Sequence, residues 1–301
     1  MSVAELLINV MGPVVLIVAV GWFAGSKLAF DVATLSRLAF WVLGPAFVFD
    51  VFFDADLQGD IAIRLLVAAL AGMAAGAALG LAAAGPLGIR GARRDGVTMT
   101  SAYGNVGNAG LAISVFAFGD SAVPAAALLM VIINISGILL GVALASARTE
   151  GIGPAVRRSL SAPMTIAAAI SLLVNAFDVS VPLVAERAIG LGAGALIPVM
   201  LLTLGMQLAQ NGAPGPSRDI GLVGMAKLVV APLVAGLVGW SLGLDGETQG
   251  VLILQSAMPP AVFCAVVALE YDMDPERVSR TVVGTTLLAL ATLPVALLLV
   301  T

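Results

Sequence analysis

Glycine and asparagine alternate within one short stretch of an otherwise apolar segment. The stretch runs Gly104-Asn105-Val106-Gly107-Asn108-Ala109-Gly110. Its three glycines and two side-chain amides should interrupt a helix. At membrane depth an unwound backbone is tolerated only where it is buried in protein or lines a watery cavity. Transporters build substrate sites from such discontinuous helices, so this stretch predicts a site for a small ligand.

A second interruption is predicted at Met258-Pro259-Pro260-Ala261. Proline fits the first turn of a helix but not its interior. We expect the first segment to stop near Asn105 and restart near Ala109. The second should stop before its first proline and restart at the second proline or at Ala261. Each restart leaves backbone N–H groups without intrahelical partners and carries about half a positive charge from the helix dipole.

Two such helix starts, facing one another near the middle of a membrane, would attract an anion without any arginine. We therefore expect a substrate that carries a carboxylate. A side-chain amide can donate to a carboxylate, although Asn105 and Asn108 could instead only tie down their own interrupted backbone. Gln255 and Ser256 lie one turn before the proline break and would line the crossing. The predicted substrate-binding residues are Asn105, Asn108, Gly107, Ala109, Gly110, Gln255, Ser256, Met258, Pro259, Pro260 and Ala261.

The composition places these segments in a membrane. The chain of 301 residues is 60% hydrophobic and only 11% charged, with a mean hydropathy of +1.09. So few charges cannot cover a water-exposed surface, and the sequence predicts an all-α polytopic membrane protein. The chain has no histidine and one cysteine, Cys264, which excludes histidine-dependent zinc sites, Ser-His-Asp hydrolysis and internal disulfides. No ATP-binding P-loop is present. We expect no metal, no cofactor and no enzymatic activity.

About twenty apolar residues span a bilayer, and this window predicts ten transmembrane helices. The first has no basic region before it, so it is interpreted as a membrane helix and not as a removed signal. No connection is long enough for a separate soluble domain. The predicted spans are 6–24, 33–53, 62–84, 98–118, 122–147, 162–177, 186–209, 220–243, 248–269 and 277–300.

The two halves of the chain resemble each other at an offset near 150 residues. Pro13 begins the first span as Pro163 begins the sixth, and the Asn-Gly break in the fourth span is matched by the Pro-Pro break in the ninth. Five spans in each half require the second half to be inserted upside down. The sequence thus predicts two inverted five-helix repeats, 1–150 and 151–301, with broken, crossing helices 4 and 9, an arrangement typical of transporters.

Most basic residues fall in or beside the odd-numbered connections between spans. The positive-inside rule places those connections in the cytoplasm and both termini outside it, in the cell inner (plasma) membrane. Lys227 lies inside the eighth span. Its long stem favours snorkelling to the interface, with pairing to an internal acid as the alternative. Asn134 in the fifth span is expected to make an interhelical hydrogen bond.

The two breaks, the pair Gly119-Asp120, the segment Asp272-Met273-Asp274 and Pro45-Ala46-Phe47 in the second span resemble the auxin efflux carrier family. That family includes plant PIN carriers and bacterial permeases for small carboxylates such as malate or malonate, and its fold is like that of the bile acid:sodium symporters. The resemblance implies ten helices in two inverted repeats, a scaffold and a transport domain, and elevator-like alternating access. It also implies that the asparagines of the fourth helix help to bind the carboxylate. The long cytoplasmic loop of many plant members is absent here, which favours the bacterial type.

These observations favour a secondary transporter of a small organic anion. A sodium-coupled symporter is the main alternative, for which Asn108, Gln255 and Ser256 could supply some oxygen ligands. A non-transporting sensor or channel is a further alternative. The expected partners are the organic anion and membrane lipid, with no nucleic acid, and the sequence leaves open whether the chain forms a homodimer.

Overall fold

The described part of the chain folds into helices. The computed structural model describes residues 7–28, 30–53, 59–146, 157, 160–211 and 214–300. Two of the basic residues used to predict orientation, Arg148 and Arg158, lie outside these residues. The helices are α1 Gly12–Lys27, α2 Val32–Phe52, α3 Gly59–Ala84, α4 Ala92–Ala102, α5 Leu111–Phe118, α6 Val123–Ser146, α7 Pro163–Ala176, α8 Leu183–Asn211, α9 Arg218–Ser241, α10 Gly246–Ser256, α11 Phe263–Glu270 and α12 Pro275–Val300.

The helices have the length and composition of membrane spans. Within the described residues, six are long and apolar enough to cross a membrane: α2, α3, α6, α8, α9 and α12. Two shorter apolar helices, α1 and α7, accompany them. Large apolar side chains such as Trp240, Leu191 and Leu299 are exposed, as expected for a surface that faces lipid. The chain is therefore a multi-pass membrane protein. The count of ten spans stays a prediction.

The packing divides the helices into two groups. In the first, α1 packs along α8, and α2 packs against both α7 and α8. In the second, α3 packs against α4 and α9, α9 packs against α10 and α12, and α11 packs against α12. We call these the α1–α8 group (α1, α2, α7 and α8) and the α3–α9 group (α3, α4, α5, α6, α9, α10, α11 and α12).

Local chemistry fixes where several helices begin. Asp31 caps α2: one carboxylate oxygen accepts from the Ala33 N–H at 3.0 Å and the other from the Thr34 hydroxyl at 2.5 Å. These hydrogen bonds favour the charged carboxylate and lower the pKa of Asp31. Ser217 caps α9 in the same way, through a hydrogen bond from Ile220 N.

Glycine lets α1 and α8 touch through their backbones. A Cβ placed on Gly205 would meet the carbonyl oxygen of Val18 and would lie 2.7 Å from the backbone nitrogen of Trp22. Gly21, on the opposite helix, faces the backbone of Leu202 equally closely. Small residues permit this close approach of membrane helices, and backbone atoms cannot move aside as a flexible side chain can.

We expect Gly205→Ala to destabilise the protein by roughly 1–3 kcal/mol, because the added methyl group overpacks the α1–α8 contact. Gly194→Ala is the matched control, since it lies in the same helix and its Cβ would meet nothing within 4 Å. The control should keep or raise the melting temperature, because alanine favours helix more than glycine does. Thermal unfolding of both purified variants measures the difference, and equal melting temperatures would contradict this account of the contact.

Candidate functional site

Both predicted interruptions are present. In the first, α4 ends at Ala102, a wide π-helical turn runs from Val106 to Gly110, and α5 follows. In the second, α10 ends at Ser256 and α11 begins at Phe263. The first half of the first segment stops about one turn earlier than predicted, whereas α10 stops before Pro259 as predicted. Between the halves, residues 103–105 pair with residues 259–261, so they are not available to continue a helix.

The two interruptions pair as a short antiparallel bridge between Gly104 and Pro260. Asn105 N donates to Pro259 O at 2.7 Å, and Ala261 N donates to Tyr103 O at 2.9 Å. Neither hydrogen bond needs an N–H at position 260. Proline is accepted here because Pro260 occupies a position of the bridge that does not donate. The pairing also satisfies backbone groups that the broken helices release.

The antiparallel pairing decides which helix ends are neighbours. The turn that begins at Val106 starts beside the end of α10, and α11 starts beside the end of α4. The sequence predicts that the two helix starts face one another. The bridge instead brings each positive helix start close to the negative carbonyl end of the other interrupted helix.

Two buried side-chain amides at this crossing carry unused hydrogen-bonding atoms. Asn105 is 5% exposed and Gln255 is fully buried. Among the described residues, neither Asn105 Nδ2 nor Gln255 Oε1 has a hydrogen-bond partner. Gly110 contacts both residues: its N–H donates to the backbone carbonyl of Asn105 at 3.4 Å, and a Cβ placed on it would meet Gln255 Oε1. Buried polar atoms without partners are costly, which marks this place as a candidate ligand site.

The other predicted residues also lie at the crossing. A Cβ on Gly107 would be 3.0 Å from Met200 Cε of α8, so this glycine faces the α1–α8 group. Ala109 and Met258 are buried in an apolar cluster that also contains residues of α1, α8 and α12. Ser256 is buried, and its carbonyl accepts a hydrogen bond. The side chain of Asn108 lies outside what the structure describes.

Tyr103 anchors the crossing to α6. Its hydroxyl donates to Asn134 Oδ1 at 2.6 Å, and Asn134 Nδ2 donates to Met130 O at 2.8 Å. The expected interhelical hydrogen bond of Asn134 is thus observed. Gly137 makes room for the Tyr103 ring, since a Cβ there would overlap it. Asn134 therefore holds the side chain of Tyr103, the residue that directly precedes Gly104 of the bridge.

The prediction that Lys227 snorkels to the interface is wrong. Its side chain does not snorkel to the interface: it is 1% exposed, and Nζ donates to Ser256 O at 2.9 Å. It lies in a π-helical turn, Ala226–Val230, shortly before Pro232. Proline cannot donate to the preceding turn and crowds it, which widens the helix at this point. The sequence does contain a signal for this widened turn, namely Pro232 shortly after the intramembrane Lys227.

A further polar cluster lies near the start of α4, away from the bridge. Arg93 donates to both carboxylate oxygens of Asp219, at 2.7 and 3.0 Å. Asp274 and Arg277 line the same shallow pocket, and they pair with each other at 3.0 Å. The acids and bases here are paired, so the cluster ties α4 to α9. It offers less for an anion than the crossing does.

The chain resembles known membrane transport proteins. Residues 152–297 match the family model described as "Membrane transport protein". An "Uncharacterized transporter" of Methanothermobacter thermautotrophicus is 26% identical over 88% of this chain and 87% of its own length. A "Putative malonate transporter" of Rhizobium meliloti is 29% identical over 64% of this chain and 62% of its own length. "Auxin efflux carrier component 1" of Arabidopsis thaliana is 28% identical over 42% of this chain and 20% of its own length. These names are of membrane transporters and not of enzymes.

Proposed function

We propose that the chain is a secondary transporter of a small organic anion, because residues 152–297 match the family model described as "Membrane transport protein" and the chain is similar to an auxin efflux carrier. One observation carries the proposal: two interrupted helices pair at Gly104 and Pro260, and beside them the buried amide donor Asn105 Nδ2 has no partner among the described residues. The unpaired Gln255 Oε1 is an acceptor and does not contribute to binding of a carboxylate. An amide N–H and the start of a helix suit a carboxylate. The malonate transporter among the relatives supports a dicarboxylate as the first substrate to test.

Alternating access is the proposed mechanism. The crossing is buried, so a substrate can reach it only if helices move. The interface between the two helix groups passes the site, since Gly107 faces Met200 of α8 and Ala109 belongs to a cluster shared with α1 and α8. A substrate bound there could move with the α3–α9 group along the α1–α8 group, as an elevator-like mechanism requires.

The packing supports the proposed inverted repeat. If α7 and α8 in the second half correspond to α1 and α2 in the first, a twofold relation converts the α1–α8 contact into the α2–α7 contact, and both are present. The same relation converts the contact of α3 with α4 into that of α9 with α10, which is also present. It pairs the bridge residues of the two halves with each other. We propose 1–150 and 151–301 as the two repeats.

The proposal is tested with purified protein reconstituted into liposomes. A thermal-shift screen of small mono- and dicarboxylates identifies a ligand, and uptake of that ligand into the liposomes is then measured. A carrier should give uptake that saturates with substrate concentration and no open conductance. A conductance without saturation would favour a channel, and ligand binding without uptake would favour a sensor.

Pro260→Ala should slow turnover. The bridge keeps α10 and α11 apart, and proline prevents the segment from closing into one helix. Alanine removes one of the two prolines that keep this segment open, so we expect roughly a tenfold lower transport rate at saturating substrate, with a smaller change in substrate affinity. Pro294→Ala is the control, because it also removes a proline, here within α12 and outside the bridge. Turnover of Pro260→Ala equal to that of the wild type would contradict the role assigned to the bridge.

A further inference from the structure

Lys227 is the one buried side chain at the crossing that carries a formal positive charge among the described residues, and the predicted substrate site did not include it. Lys227 Nζ donates to Ser256 O, the carbonyl of the last residue of α10. The end of the side chain lies against Gly104, where a Cβ would be 2.8 Å from Cε and 2.9 Å from Nζ. The amine thus reaches both interrupted segments.

The surroundings of Nζ are those of a cation site. The last carbonyls of a helix have no intrahelical partners and carry the negative end of the helix dipole. In transporters with discontinuous helices, such carbonyl ends coordinate the coupling cation. Among the described residues, no acidic side chain forms an ion pair with Lys227, so its neighbouring negative charge is that of the carbonyl end.

Because the bridge is antiparallel, the Lys227 amine also affects the predicted anion site at the neighbouring helix start. The end of α10 lies beside the turn Val106–Gly110, where Asn105 presents its unused amide. A bare carbonyl end would repel a carboxylate at that place. A positive charge on the carbonyl end removes the repulsion and leaves the helix start and the amide to attract the anion.

We propose that the Lys227 ammonium is a built-in cation of the crossing, occupying the position of a coupling sodium ion and making anion binding independent of sodium. The inference rests on the proposed function, because it concerns the same site. It favours a sodium-independent carrier over the sodium-coupled symporter. It also assigns Lys227 as a positioning residue, which acts through the end of α10.

The test measures thermal stability of the purified protein in sodium chloride and in choline chloride at equal concentration. Wild-type protein should melt at the same temperature in both salts. Lys227→Ser leaves space and a hydroxyl oxygen at the carbonyl end, so sodium should bind there and raise the melting temperature of this variant by roughly 2–4 °C. Lys227→Arg keeps the charge and should stay insensitive to sodium.

Lys27→Ser is the matched control. Lys27 and Lys227 are the two lysines of the chain, and Lys27 is exposed at the end of α1. Its removal should leave the protein insensitive to sodium. A sodium-specific rise in the wild type, or folded Lys227→Ser without one, would overturn the inference. If Lys227→Ser does not fold, the wild type and Lys227→Arg decide, since a sodium-specific rise in either overturns it.

These measurements need no substrate, so their outcome is separate from that of the transport proposal. A protein that transports no carboxylate could still carry a built-in cation. Conversely, sodium-dependent stability of the wild type would overturn the inference and would favour a sodium-coupled carrier. Once a ligand is known, its dissociation constant should be the same in sodium and choline for the wild type.

Discussion

Asn105→Ala should weaken binding of the carboxylate ligand by roughly tenfold or more, equivalent to at least about 1.4 kcal/mol. The Asn105 amide is buried and its Nδ2 has no partner among the described residues, so it is free to donate to a ligand. Removal of an unpaired buried polar group does not break an existing hydrogen bond. The melting temperature without ligand should therefore stay close to that of the wild type. Titration of ligand against thermal stability measures both quantities.

Asn175→Ala is the matched control for loss of an amide. Asn175 lies near the end of α7 and donates to Phe53 O, in the α1–α8 group. It should bind ligand as the wild type does. The side chain of Asn108 is not described, but its substitution by alanine is expected to weaken binding as well. Wild-type affinity in both Asn105→Ala and Asn108→Ala would refute the assignment of the amides to the substrate.

Gly104→Ala should reduce transport by roughly tenfold or more and also lower stability by about 1–3 kcal/mol. The added methyl group would lie 2.8 Å from Lys227 Cε and 2.9 Å from Nζ. The amine is itself held by Ser256 O, and the backbone of Gly104 is held in the bridge to Pro260. Relief of the clash therefore requires either the amine or the bridge to move.

Gly221→Ala is the control for this substitution. Gly221 is in α9, the helix that carries Lys227, and its Cβ would meet nothing within 4 Å. Its transport rate should match that of the wild type. A double variant, Gly104→Ala with Lys227→Ser, removes the atoms that the methyl group meets and should recover part of the lost stability. Additive losses in the double variant would contradict the contact between these two residues.

The interruptions could be predicted from the sequence because they follow from residue type. Glycine and asparagine weaken a helix, two successive prolines end one, and both effects act within a few residues. The membrane class followed from composition in the same direct way. The bridge between Gly104 and Pro260 could not be predicted, because it joins residues far apart in the chain and depends on how the helices pack.

The direction of the Lys227 side chain could not be predicted from the sequence either. The sequence places this residue within a span, but it does not reveal which side of the helix faces the crossing. A widened turn rotates the residues that precede Pro232 relative to those that follow it, so ideal helical spacing does not determine the direction of the side chain. General knowledge of long side chains in membranes favoured the interface. Instead, the absence of a side chain at Gly104 makes room for the end of Lys227, and the carbonyl end of α10 accepts its hydrogen bond.

The central claim is that an anion binds where the two interrupted helices pair. An experimental structure of the protein with the carboxylate found in the thermal-shift screen tests it most directly. We predict ligand density within hydrogen-bond distance of Asn105 Nδ2 and of the turn that begins at Val106. Density for the same ligand at the Arg93–Asp219 pocket, with the crossing unoccupied, would contradict the account.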